Sequence, residues 1–576
     1  MTEPIIKDRT IEALKTAAGW PAADRATLVT LATALAATGA DAEGAAFFGE
    51  LADRQPGQAA PLALAGFFTV RDGRDIPAGL AKLDQAAAQD LGLPQYYRGL
   101  ALAGLPPEAG QAARAVEDLE FVLAVRDQFP ASMVRAVHHG LAAAHAALGD
   151  PEQAAQAAAA AGLTGVPPGA RLEFSGYSVN AADGFRFTAP RIAELAPGVR
   201  VAQGYDFGDI AFLTTGDGVV AIDAGTAPGR AAAALAGAGL DAGQVSHVIL
   251  THSHFDHAGG IAALLGPRTT VIAQAGFPAE LERQHADYLP FRNFTGTDSG
   301  FASGQAARPS AIAVDQLIAE PATVTIGGTG LVLYPAAGGE TGDALMIYLP
   351  ASGVLFTGDV MMPYLGAPFF AEGSPAGLLE TLEFIAGLRP RTLIHGHTVL
   401  TDLFTVEAVA GLLPALRELR EHALAGIGSG ETLAGLLDAN VLPGVLREHP
   451  AAVGPYLATR DHFLQRLHHQ HTGYWQSDGQ GMEPISTAQR AAAIDLLAGG
   501  KPGPFAEAAR ALLAQRDHAL ALEIATAGLA GHPDDEELKQ LRQQALYRLM
   551  ARHQLQDPFR FLIYAEMAGA EIGPPA

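Results

Sequence analysis

Between residues 26 and 161 the apolar positions, mostly Ala and Leu, recur every three or four residues, the spacing that gathers them on one face of a helix. The pattern predicts helices over 26–51, 59–89 and 134–161, interrupted at Gln55-Pro56-Gly57, Leu93-Pro94, Phe129-Pro130 and Gly149-Asp150-Pro151, where Pro and Gly cannot continue a helix. Gly165-Val166-Pro167-Pro168-Gly169 reads as a linker. Beyond it the texture changes to short β-rich runs separated by Gly and Asp: 199–202, 210–214, 218–222, 248–250, 323–326, 331–334, 345–349, 354–356 and 392–394. Helices are predicted between them, at 260–265 and 376–388 among others, which makes residues 166–410 an α/β region. From Leu412 the chain is helical again, with a pair at 517–530 and 535–550 resembling the N-terminal pairs. The expected organisation is a helical domain at 1–165, an α/β domain at 166–410 and a second helical domain at 411–576.

The helix pairs of the first domain recur at intervals of roughly 34 residues, with small residues where helices would cross. They resemble degenerate tetratricopeptide repeats, although the repeat's signature aromatics are mostly missing; an all-α packing domain without a true repeat is the alternative. Repeat-like helices make a protein partner at the N-terminal domain an expectation.

Charge narrows the list of partners. The formal net charge of −24, spread along the chain, repels phosphate backbones and argues against nucleic acid. The absence of cysteine excludes disulfides, thiolate nucleophiles and Cys-ligated zinc, and suits cytosol and periplasm alike. The opening residues, Met1 to Arg9, lack the basic-then-apolar profile of a signal peptide, so a cytoplasmic protein is the expectation. No apolar run reaches membrane length, and no membrane span is expected.

Candidate chemistry is concentrated in Thr251-His252-Ser253-His254-Phe255-Asp256-His257, directly after the strand ending at Leu250. In an extended loop His252 and His254 fall on the same side, while Asp256 and His257 offer a carboxylate and an imidazole to a neighbouring position. Zinc-like ions take both donor types, and two ligand sets a few ångströms apart make a dinuclear site. A histidine-rich turn without metal is the plainer alternative. Four potential ligands within six residues, at a strand end before Ala258-Gly259-Gly260, weigh against it.

His-x-His-x-Asp-His is the hallmark of the metallo-β-lactamase superfamily, which this chain resembles. Other parts follow in the superfamily's order: Asp223 after Val220-Ala221-Ile222, Asp359 in Phe356-Thr357-Gly358-Asp359, and His397 in Ile394-His395-Gly396-His397. The resemblance implies an αββα sandwich flanked by the helical regions. Where the superfamily usually has another histidine, the chain reads Gly338-Gly339-Glu340-Thr341-Gly342-Asp343. The alkyl sulfatase branch is similar in using a glutamate there, with the bridging carboxylate 19 residues later, the separation of Glu340 and Asp359 here. Asp343 is the rival ligand. The branch is also similar in Gly204-Tyr205-Asp206-Phe207, and in Thr472-Gly473-Tyr474-Trp475 followed by Asp478-Gly479, which looks like its dimerisation domain and implies a homodimer.

The resemblance implies two divalent metal ions, zinc by expectation: one held by His252, His254 and Glu340, the other by Asp256, His257 and His397, with Asp359 bridging. Two divalent ions against three carboxylates leave one positive charge, which a bridging hydroxide neutralises. Asp256 and Asp359 are expected to be catalytic as well as metal-holding, and Asp223 and His395 to orient ligands. A hydrolase of sulfate esters with an apolar part is the first reading. It is weakened by the segment after Asp359, Val360-Met361-Met362-Pro363-Tyr364, which lacks the cation with which the branch grips sulfate, and by aspartate in place of the branch's bridging glutamate. Tyr364, Tyr288 and Arg292 are candidate substrate contacts. The other readings are a hydrolase of phosphoesters, lactones or carboxylic esters, and a helical-repeat scaffold with a vestigial or regulatory metal site.

Overall fold

In a computed structural model of the protein, which describes residues 8–21, 23–161, 178–180, 184–188, 190–286, 311–336, 339–363, 373–473, 482–554 and 557–569, the Ala/Leu-rich stretch folds into successive helix pairs. They are Arg25–Ala37 with Asp41–Arg54, Ala59–Asp72 with Ile76–Gln89, Leu93–Ala103 with Ala112–Ala124, and Ala131–Ala147 with Pro151–Ala161. The leading helices start 34, 34 and 38 residues apart. Aspartates open several of them: the Asp24 carboxylate accepts from the Thr27 N–H at 2.8 Å and that of Asp75 from the Ala78 N–H at 3.1 Å, each satisfying a first-turn donor. Small residues let neighbouring helices close up. A Cβ on Gly66 would stand 2.8 Å from both the Gly79 carbonyl oxygen and Leu83 Cγ. Gly66→Ala is therefore expected to destabilise by about 1–3 kcal/mol through overpacking, against a helix-propensity gain of at most ~1 kcal/mol. Thermal unfolding checks this, and an unchanged or raised midpoint would contradict it.

The chain divides into two compact units, Met1–Ser175 with Thr472–Pro574, and Gly176–His471. The stretch expected as one domain at 411–576 is thus shared between them. Val406–Gly428 belongs to the second unit, whereas Pro502–Ala514, His518–Gly531 and Glu536–His553 belong to the first. Distant ion pairs hold the latter to the N-terminal helices: Arg516 to Glu43 at 2.6 Å and Arg552 to Asp8 at 3.0 Å.

The second unit is built on two sheets. One has the spatial order Arg191–Ala196, Val199–Gln203, Ile210–Thr215, Gly218–Ile222, Val245–Ile249, Thr270–Gln274, Gln316–Ile318; the other runs Ala322–Ile326, Thr329–Ala336, Ala344–Leu349, Val354–Gly358, Thr392–His395. Pairings are antiparallel until each sheet turns parallel, from Gly218–Ile222 onward in the first and between Val354–Gly358 and Thr392–His395 in the second. The central strands, such as Gly218–Ile222, Ala344–Leu349 and Val354–Gly358, are apolar almost throughout because both faces are covered. In Gly218–Ile222, Val220 and Ile222 face the inter-sheet core with Leu333, Ile347, Phe356 and Ile394, while Val219 and Ala221 face a second core containing Ala231, Leu235 and Phe277. Helices Pro228–Gly237 and Phe277–Ala286 supply that outer layer, and Pro375–Leu388 covers the other sheet, where Phe384 meets Tyr334 edge-on at 4.9 Å. This is the αββα sandwich. Residues 260–265, expected as a helix, form only a single 3₁₀ turn, Ile261–Ala263, since Gly259 and Gly260 precede it and Pro267 follows. Among the described residues no helix is long and apolar enough to cross a membrane.

Candidate metal centre

The ends of the parallel strands converge on one edge of the sandwich, as in other open α/β sheets. Asp223 follows Gly218–Ile222, the histidine cluster follows Val245–Ile249, Asp359 follows Val354–Gly358 and His397 follows Thr392–His395. Glu340 enters from the turn before Ala344–Leu349. All seven candidate ligands are buried.

Among the described residues, three overlapping groups each bring ligating atoms within 4.8 Å of one another: His252, His254 and Glu340; His252, His257 and Asp359; and Asp256, His257 and His397. Glu340 reaches His252 Nε2 at 3.2 Å and His254 Nδ1 at 3.5 Å. Across the cluster, Asp256 stands 3.3 Å from both His257 Nε2 and His397 Nε2, and Asp359 stands 3.3 and 2.9 Å from the same two nitrogens. Ligands held at about 2.0–2.1 Å around a tetrahedral ion lie roughly 3.3 Å apart, so the spacing suits one. His252 Nε2, His257 Nε2 and Asp359 Oδ1 are buried without any hydrogen-bond partner, a costly arrangement unless a cation satisfies them. The residues present therefore fit divalent metal ions.

The other nitrogen of three rings is fixed by the fold. His252 Nδ1 lies 3.0 Å from Thr251 Oγ1, His257 Nδ1 is 2.8 Å from Asp223, and His397 Nδ1 is 2.9 Å from the Phe207 carbonyl. With Nδ1–H donating outward, each ring turns its Nε2 lone pair to the centre. Asp223 does more than hold His257: its carboxylate also accepts from the Thr251 N–H and hydroxyl, both at 2.8 Å. Its backbone is left-handed, φ 62°, which Asp tolerates better than most residues. His395 is placed differently. Its Nδ1 bonds Thr357 Oγ1 at 2.6 Å and its Nε2 the Phe404 carbonyl at 3.0 Å, so it braces the strand end and contacts none of the seven by hydrogen bond. Asp343 is buried beside His252 and His254 but joins none of the three groups; burial pushes its carboxyl up. Tyr364, Tyr288 and Arg292 lie outside the described residues, as do Tyr474, Trp475, Asp478 and Gly479.

Electrostatically the centre favours positive charge. Burial disfavours the charged form of His397, yet the carboxylates of Asp359 and Asp256 outweigh it and raise the imidazole to about 10. Burial likewise opposes ionisation of Asp359 and Asp256, and the facing imidazoles overcome it, holding both below the ordinary carboxylate range.

Two features were not legible as site residues beforehand. Gly396 packs so close to Asp359 Oδ1 and His257 that no side chain fits between His395 and His397. Asp209 ties the His397 loop down: its N–H donates to the Gly396 carbonyl at 2.8 Å, and its carboxylate accepts the Thr398 hydroxyl at 2.7 Å. Burial pushes the Asp209 carboxyl up to about 7. Between the unfolded value of about 4 and the folded value, the folded chain holds a proton that the unfolded chain has released. This residue's contribution is thus most favourable below about pH 4 and is lost as pH rises through 7. Asp209→Asn removes the ionisation, so variant stability relative to wild type is expected to rise between about pH 4 and 8 in urea titrations; a pH-independent difference would contradict this.

A double-sheet sandwich with imidazoles and carboxylates converging at its strand ends is the arrangement of the metallo-β-lactamase superfamily, and residues 204–397 match that superfamily's model. The match covers these residues, about a third of the chain. In fold it is similar to the stereoselective inverting sec-alkylsulfatase Pisa1 from Pseudomonas sp., with a TM-score of 0.53 and 20% identity over 66% of this chain and 65% of that one. In sequence it is similar to a hydroxyacylglutathione hydrolase of Rhodobacter capsulatus, 29% identical over 171 residues, and to a linear primary-alkylsulfatase of Pseudomonas sp. (strain ATCC 19151), 20% identical over 334 residues. These matches cover 29% and 53% of this chain, and span 55% and 63% of the curated relatives' own lengths.

Proposed function

We propose that the protein is a metal-dependent hydrolase of ester bonds, acting on sulfate esters with an apolar part and using two divalent ions, zinc in the first instance. The observation that carries this reading is Glu340. Its carboxylate stands 3.2 Å from His252 and 3.5 Å from His254, where the superfamily usually offers a histidine and the alkyl sulfatase branch a glutamate.

His252, His254 and Glu340 would hold one ion, Asp256, His257 and His397 the other, with Asp359 between them. Such ions lower the pKa of a bound water toward about 7 and polarise the scissile group. The chain's own residues prepare this. Thr251, Asp223 and the Phe207 carbonyl set the tautomer and direction of three imidazoles. Phe207 and Phe187 lie against the His397 ring at 4.7 and 5.4 Å and exclude water from its flank. The carboxylates of Asp256, Glu340 and Asp359 would offset part of the ions' charge.

A second reading, hydrolysis of carboxylic or related acyl esters, is favoured by aspartate rather than glutamate at position 359 and by the match to the hydroxyacylglutathione hydrolase. Sulfate release from a medium-chain alkyl sulfate, set beside p-nitrophenyl acyl ester and phosphodiester panels, separates the two. Turnover highest on the alkyl sulfate is expected; turnover confined to acyl esters would replace the first reading by the second.

The 34-residue spacing of the N-terminal helix pairs supports a tetratricopeptide-like domain with a protein partner. A cytoplasmic homodimer completes the proposal, and a sizing column tests the dimer.

A further inference from the structure

Both oxygens of the Glu340 carboxylate face imidazoles, one 3.2 Å from His252 and the other 3.5 Å from His254. With its carboxylate so directed, the turn that presents Glu340 has to be held through its backbone. On one side the Gly339 N–H donates to the Val360 carbonyl at 3.1 Å, which ties the turn to the segment after Val354–Gly358. On another side lies Gly373. A Cβ on Gly373 would collide with the Gly339 carbonyl and stand 2.9 Å from the Glu340 nitrogen, so the two backbones are in direct contact.

Gly373 is itself pinned from two directions. It precedes Ser374, whose hydroxyl accepts from the Gly377 N–H at 2.9 Å and caps helix Pro375–Leu388. Its carbonyl accepts from Arg466 Nη2 at 3.1 Å, a bond between positions 93 residues apart in the chain. Arg466 lies on helix Val453–Thr472, whose Phe463, Leu464 and Leu467 are buried, so packing of the apolar face fixes the side from which the guanidinium arrives. Gly373 has φ 71°, the left-handed region, and its contact with Gly339 leaves no room for a side chain; glycine meets both demands. Holding a long cationic side chain in place costs rotamer freedom, and here it is held at the carbonyl that abuts the Glu340 turn.

We infer that Arg466 is a positioning residue for metal: by holding Gly373 against the Gly339–Glu340 peptide, it keeps the Glu340 carboxylate within reach of the ion shared with His252 and His254. The inference rests on the proposed assignment of Glu340 as a metal ligand. Ligand distances have to fall within about 0.2 Å of their ideal values, so a small retreat of the turn weakens the site. The ion assigned to Asp256, His257 and His397 does not depend on Arg466 in this way, because those ligands follow other strands.

Competition of the full-length protein with a zinc chelator tests this on wild type, Arg466→Met, Arg466→Lys and Gly373→Ala. Arg466→Met keeps the apolar stem and removes the donor. It is expected to weaken one of the two zinc equivalents about tenfold, the lower end of the effect of groups that support metal ligands. Arg466→Lys retains an ammonium donor and is expected to recover most of that affinity. Gly373→Ala disturbs the same contact from the other side and is expected to weaken the same equivalent, which keeps the test decisive if Arg466→Met folds poorly. In a His254→Ala background, where the first ion is already lost, Arg466→Met is expected to leave the remaining affinity unchanged; a general folding defect would lower it. Two equivalents in wild type, with both held as tightly by Arg466→Met, would overturn the inference and leave the metal assignment standing. An equal loss in the His254→Ala background would do the same. Fewer than two equivalents in wild type would overturn both.

Discussion

Replacing His254 by Ala is expected to lower kcat/KM by about 10³-fold or more and to remove one equivalent of metal. The ring is buried, stands 3.5 Å from Glu340, and packs 4.7 Å from the His252 ring. Without it, the group formed with His252 and Glu340 falls to two ligands, too few for a tight site. A divalent ion contributes several kcal/mol of charge stabilisation in hydrolysis, and about 1.4 kcal/mol corresponds to each factor of ten in rate. Asp256, His257 and His397 remain, so the second ion is expected to stay bound. Steady-state kinetics and elemental analysis on one preparation read both effects. Wild-type turnover by the variant after chelator treatment would sink the mechanism.

The second large effect is expected at a residue that holds no metal. Asp223→Ala removes the acceptor of three hydrogen bonds, from the Thr251 N–H, the Thr251 hydroxyl and His257 Nδ1, each 2.8 Å long. Deleting one partner of a buried charged network costs about 3–5 kcal/mol, and loss of a group that orients a metal-bound imidazole lowers metal affinity about 10–100-fold. Both a lower melting temperature and weaker metal retention against a competing chelator are expected. Asp223→Asn separates the two effects. Asn tolerates the left-handed backbone, so stability is expected to recover partly, while the exchange of one acceptor oxygen for a donor leaves His257 misdirected. A variant Asp223→Ala that keeps wild-type stability and metal affinity would show that the network is incidental.

The parts legible in the sequence are those set by local spacing. Strands such as Gly218–Ile222 announce themselves because burial on both faces requires apolar side chains at every position, and the His252–His257 loop because its ligands are neighbours in the chain. Glu340 was readable only through its distance from Asp359 and a family resemblance; nothing local to Gly338–Asp343 separates it from Asp343. What escaped depends on partners far apart. Arg516 and Glu43 are 473 positions apart, so no pattern near residue 412 could reveal that the last helices pack with the first. Asp209 sits in a Gly- and Asp-containing stretch that reads as an ordinary turn, and its role exists only because Thr398 arrives from 189 residues away, together with Gly396. Gly396 looks like a spacer between two histidines until Asp359 is packed against it.

On the proposed function, one buried cluster of seven side chains would hold a pair of metal ions. Metal stoichiometry of the full-length protein, purified without chelator and measured by elemental mass spectrometry, tests it most directly. Two equivalents of divalent metal per chain, zinc foremost, are expected. A chain with no bound metal, or one that saturates at a single equivalent when zinc is supplied, would contradict it.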